Sequence, residues 1–318
     1  LTALVAILTS GILGLTAIST TKTVKANEND TPVITLGTSL TSSQKQGTIN
    51  TLTQSLNGSN YTTITITGAD LVKYLNPSGY DFTNNSGVWS SAMIQKTSSG
   101  SGINVHILPY NGHNNITTIT ANQYKNAALT AGISDADIYV TSATPIDGSG
   151  ALAGVYAAYA KNGNSLNQNQ INAAQTEMNT LSKITSQNKG KDGYSDAQLN
   201  NAIAGAKKEM AKQGQNISDS QIRDIVNNQI NINHLGDTIT NNQKEQIINV
   251  LIKIKNSGAL KDKNFQQQAG QLADQIQSGA KNIFSKFNTP ETRNWFQKLI
   301  DSIVSWFRST FGGVIILN

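Results

Sequence analysis

The side chains able to do chemistry are sparse in this sequence, and their spacing narrows what each could do. Two Ser-x-x-Lys pairs, Ser42 with Lys45 and Ser186 with Lys189, match the nucleophile and base spacing of penicillin-interacting serine enzymes. The companion motifs Ser-Asp-Asn and Lys-Thr-Gly are absent, so both pairs read as coincidences of a serine-rich chain. The three histidines, His106, His113 and His234, fall in no metal-ligand spacing, and the absence of cysteine removes thiolate sites and disulfides together. No metal, no cofactor and no catalytic residue is therefore expected. The acids Asp70, Asp81, Asp135, Asp137 and Asp147 would serve a cell-wall hydrolase only if folding set two of them about 5–9.5 Å apart. Asp70 and Asp135 lie near expected helix starts, where the helix dipole favours an anion without any catalytic purpose.

Two segments are better suited to binding than to reaction. The turn running from Asp147 to Ala151 opens a helix just after a strand, which makes Gly148, Ser149 and Gly150 a candidate anion-binding turn. It lacks the further glycines of a dinucleotide loop and the lysine of a phosphate loop. Gly148, Gly150 and Gly154 equally suit a close approach of helix to sheet.

The stronger signal is C-terminal. Thr289 suits a helix cap, Pro290 the first helical position and Glu291 the first turn. Trp295, Phe296, Leu299, Ile300, Ile303, Val304, Trp306 and Phe307 then form a broad apolar face, with Arg293, Lys298 and Arg308 supplying positive charge beside it. Two of the three tryptophans and three of the seven phenylalanines fall between Trp295 and Phe311, so aromatic contact area is concentrated there. Such a cationic amphipathic helix suits a membrane interface. It does not suit a span, because Lys298, Asp301 and Arg308 would each cost about 2.5–3.5 kcal/mol near the bilayer centre. Packing on its own fold or on a second copy is the ordinary alternative for an apolar helix face. The expected partners are thus a membrane surface, an anionic wall polymer or another protein, with homo-oligomers through the same helix as a further option.

The elements that must position these residues divide into two kinds. From Val33 to about Gly163, strand patterns at 33–36, 61–67, 90–97, 103–108 and 138–140 alternate with helix patterns at 42–56, 69–75, 121–131 and 150–161. The run Ser98 to Gly102 reads as a hairpin connection, which would make the sheet mixed. Residues 164–288 carry no strand pattern. Their apolar residues recur at three and four, as in Ile171, Ala174, Met178 and Leu181, or Leu199, Ile203, Ala206 and Met210. Ile222, Ile225, Val226 and Ile230 make a third stripe, and Ile247, Ile248, Leu251 and Ile254 a fourth. Capping residues followed three positions later by Gln mark the helix starts: Thr41, Thr120, Asn167, Ser195, Ser218 and Thr240. The expected fold class is α+β or α/β: a mixed-sheet α/β domain at 27–163, an all-helical domain at 164–288, and an amphipathic helix with an apolar tail at 289–318.

The uncharged apolar run Leu1 to Ile18, closed by Val24-Lys25-Ala26, reads as a signal peptide covering residues 1–26. The chain is therefore expected to be secreted and associated with the cell envelope. From residue 27 onward the charge is near +3, with 22 basic and 19 acidic residues, too weak a balance to suggest nucleic acid.

Several segments carry a family likeness in the same order: Val33 to Gly37, Leu40 to Gln44, Thr67 to Leu75, Val88 to Ala92, Ala131 to Ala136 and Gly148 to Tyr159. Together they resemble domain-of-unknown-function family 1002, the YpuA-like secreted proteins of Gram-positive bacteria. The resemblance implies secretion and the two-part layout. It brings no established activity and no catalytic residue with it.

Overall fold

Five strands form in the computed structural model, which describes residues 31–287, and alternation of β-branched with polar residues is clearest in Ile103-Asn-Val-His-Ile107. The expected signal peptide and the segment 289–318 lie outside those residues. The strands are β1 (Val33–Gly37), β2 (Thr62–Ile66), β3 (Ser90–Lys96), β4 (Ile103–Ile107) and β5 (Ala136–Ser142). They form one sheet in the order β2-β1-β3-β5-β4. β1 runs parallel to β2 and β4 parallel to β5, while β3 is antiparallel to both β1 and β5. The sheet is mixed, as expected, but for a different reason from the one read in the sequence.

The expected hairpin between β3 and β4 does not form, because β5 is inserted between the two strands. The Ser98–Gly102 connection crosses over the start of β5 and is tied to it. Thr97 N donates to Asp135 O at 2.8 Å, Ala136 N to Gly102 O at 3.1 Å, and Gly102 N to the Asp135 carboxylate at 3.1 Å. Asp135 itself takes a left-handed conformation at φ 47°, ahead of a strand and not at a helix start. Alternation fixes which residues face each side of a strand, but it says nothing of which strand lies next to it.

The period of two assigns the faces of β1. Ile34 and Leu36 enter a small core with Met93, Leu52 and Leu56 beneath α1 (Ser42–Leu52). Val33 points the other way, into the main core, beneath α2 (Gly68–Leu75), α3 (Ala121–Thr130) and α4 (Ala151–Lys161). α4 lies so close to the sheet that a Cβ on Gly154 would stand 2.6 Å from Thr35 Oγ1. The helical array follows with α5 (Gln168–Asn188), α6 (Asp196–Gln213), α7 (Asp219–Ile232), α8 (Asn241–Asn256), α9 (Lys263–Gly279) and the short α10 (Lys281–Phe284). Reciprocal capping boxes close at Thr41, Thr120, Ser218 and Thr240. At Ser195 the box stays open, because Gln198 Oε1 accepts from the Ser195 hydroxyl at 2.8 Å and not from its amide, while Gln198 Nε2 donates to Asn233 O at 2.9 Å, beyond the end of α7.

The main core does not stop at residue 163. Ile171, Ala174 and Met178 of α5 belong to the same buried cluster as Leu129 of α3 and Ile138 of β5. α9 closes the array back onto the sheet, with Gln271 Nε2 donating to Gly100 O at 2.9 Å.

Candidate functional site

Polar side chains thread the seam where α3 of the α/β region meets α5 and α6. At its inner end Glu177 and Lys207 are completely buried, with Lys207 Nζ 2.5 Å from Glu177 Oε1. The ammonium also donates to Asn126 O at 2.8 Å and Asn126 Oδ1 at 3.2 Å. Thr130 Oγ1 donates to the other Glu177 oxygen at 2.6 Å. Burial pushes the Lys207 ammonium below its ordinary pKa, opposed by the adjacent Glu177. An ion pair this enclosed, with its ammonium held by Glu177 and Asn126 together, organises packing.

The hydrogen-bonded chain continues outward. Asn126 Nδ2 donates to Asn200 Oδ1 at 3.1 Å, and Asn200 Nδ2 to Asp196 Oδ1 at 2.9 Å. The half-buried Asp196 carboxylate also accepts from Thr120 Oγ1 at 3.0 Å and Gln123 Nε2 at 3.3 Å. Burial raises its pKa, and the hydroxyl and amide donors oppose that rise. Beside it the Tyr194 hydroxyl pairs with Thr185 Oγ1 at 2.8 Å, and burial holds the phenol well above its usual value. Thr120 is the cap of α3 and Asp196 the first residue of α6, so this one carboxylate ties the starts of two helices from the two regions.

Asp196 and Tyr194 open into a cleft of about 570 Å³ walled by Ile107, Asn114 and residues 116–121 on one side and by Thr185, Gly190 and residues 194–196 on the other. Ser186 and Lys189 both line it. Ser186, however, sits in the last turn of α5, where the free carbonyls gather negative partial charge, the reverse of what a serine alkoxide requires. The other pair has a simpler origin: Ser42 follows the cap Thr41, and Lys45 follows its box partner Gln44.

Each of the remaining sequence candidates has a local setting of its own. Asp70 closes a capping box with Thr67, whose amide donates to it at 2.8 Å. Asp137 accepts from Asn104 Nδ2 at 2.9 Å, and Asp81 is exposed. In the turn at 148–150 the Ser149 amide and hydroxyl both donate to Asp147, at 3.1 and 2.9 Å, so the chain's own carboxylate occupies those donors. Gly148 has φ 102°, and a Cβ there would lie 2.6 Å from the Tyr124 hydroxyl. His106 stacks on Tyr139 with ring centroids 4.8 Å apart, and the backbone of His113 pairs with that of Tyr110. Among the described residues no three histidine or carboxylate side chains cluster as metal ligands. The proposed contact residues Trp295 to Arg308 lie outside the described residues.

Sequence reasoning missed the seam. Lys207 stands four after Ile203 and three before Met210, at the spacing of the α6 apolar stripe, and that placement was the available signal of a buried charge. Glu177 likewise stands four before Leu181 of the α5 stripe. Asp196 looks in sequence like an ordinary first-turn acid.

The family described as "Protein of unknown function (DUF1002)" matches residues 36–272. The uncharacterized protein YpuA of Bacillus subtilis (strain 168) is 30% identical over 274 residues, which is 86% of this chain and 86% of the relative. No solved structure matches the chain.

Proposed function

We propose that this chain, which belongs to the DUF1002 family, is an exported, non-enzymatic envelope protein that rests on a membrane surface through residues 289–318. The observation that carries this reading is the concentration of Trp295, Phe296, Trp306 and Phe307 beside Lys298 and Arg308 in one short segment. Binding is favoured over hydrolysis because Asp70, Asp135, Asp137 and Asp147 each hold a cap, a turn or a neighbouring side chain in place. Carboxylates committed in this way stabilise the fold.

Co-sedimentation with phosphatidylglycerol vesicles tests the proposal, comparing the chain with its Trp295→Glu/Trp306→Glu variant. The parent should pellet with the vesicles and the variant should remain in the supernatant. Equal partitioning of the two would sink the membrane reading. Retention on purified wall material without vesicle binding would move the contact to a wall polymer, and clearing of that material would restore the hydrolase.

A further inference from the structure

We propose that the cleft between the α/β and helical regions is a binding site for a neutral oligosaccharide. Its volume, about 570 Å³, falls within the roughly 300–1,000 Å³ typical of small-ligand sites, which favour junctions between structural units.

The charge of the lining argues against an ionic ligand. Lys189 and the Asp196 carboxylate both line the cleft, so their charges offset and the site carries no net charge to hold an anion. A cation would find that carboxylate already surrounded by Thr120, Gln123 and Asn200 donors. What the walls offer instead is neutral hydrogen-bonding groups, with Asn114, Thr118 and Ser186 all exposed, set among apolar surface from Ile107 and Ile119. A sugar ring has the matching pattern, with hydroxyls at its edge and C–H groups on its faces. Tyr194 adds a half-buried aromatic whose hydroxyl is pinned to Thr185. Such a residue gives contact area at low entropic cost. The site is also preformed, because Asp196 bonds the cap of α3 to the start of α6 and so fixes one wall against the other.

The site does not depend on the terminal helix, so its test is separate from vesicle binding. Isothermal titration calorimetry of the full chain with chitotetraose and with cellotetraose should give a binding isotherm with at least one of them. Ser186→Trp, which fills the cleft from an exposed position, should weaken that binding at least about tenfold without changing the thermal melt, as loss of a central contact does. Tyr194→Phe, which keeps the ring, should retain more of the affinity than Tyr194→Ala. The proposal is overturned if neither sugar binds at millimolar concentration, or if Ser186→Trp binds as the parent does.

Discussion

In the α/β region, buried polar groups mostly serve the backbone: the Thr35 hydroxyl bonds both the carbonyl and the amide of Ala92, and the Tyr124 hydroxyl bonds Gly148 O. In the helical region they meet one another between helices. Glu177 pairs with Lys207, Asn201 Nδ2 with Asn233 Oδ1 at 2.7 Å, and Asn200 reaches across to Asn126 of α3. A sheet needs no such pairs, because its ladder of backbone bonds already sets strand position. Helices satisfy their backbones internally and present smooth Ala- and Ile-rich faces, so directional side-chain pairs are what fix one helix against the next.

That contrast can be broken most sharply at Lys207. Lys207→Met should destabilise the chain by about 3–5 kcal/mol in urea unfolding, because it strands a buried carboxylate, whereas Lys207→Met/Glu177→Leu should recover most or all of that loss. Equal destabilisation of single and double variants would mean that the pair is no more than filler. On the α/β side the corresponding probe is steric. Gly154→Ala drives a methyl against Thr35, whose hydroxyl is fixed by two bonds. Overpacking of this kind costs about 1–3 kcal/mol, more than the roughly 1 kcal/mol that alanine gains in helix propensity, so the melting temperature should fall. A rise would show that α4 has room to retreat from the sheet.

The smallest effect is a pH dependence at the seam. Burial raises the Asp196 carboxyl above its ordinary value of 3.8, so in the window just above that value the folded chain binds the proton more tightly than the unfolded chain. Its contribution to stability is therefore present at low pH and declines as pH rises through the folded pKa. Subtracting the urea stability of Asp196→Asn from that of the parent between about pH 3.5 and 7 should leave this decline. A flat difference would show that the surrounding donors fully offset the burial.

The sequence made the local elements of both regions readable, and their boundaries agree closely with the structure from β1 through α4. Regular alternation and capping pairs are short-range signals, and they report short-range structure. Beyond the seam and the strand order, two further features escaped. The stripe of Phe265, Ala269, Leu272, Ala273 and Ile276 in α9 is diluted by five glutamines, so its period of 3.6 is hard to see. The cleft joins distant residues, Thr120 and Asp196 standing 76 positions apart, and no pattern within either segment points to the other.

The insertion of β5 also governs how the molecule can come into being. β4 has a single native neighbour, and that neighbour is made last. Until residues 136–142 are in place, β4 lacks its native neighbour, and the nearest strand in sequence is β3. A transient β3–β4 ribbon is thus the decoy that this topology must outcompete, with β5 arriving as the keystone that wedges the two apart.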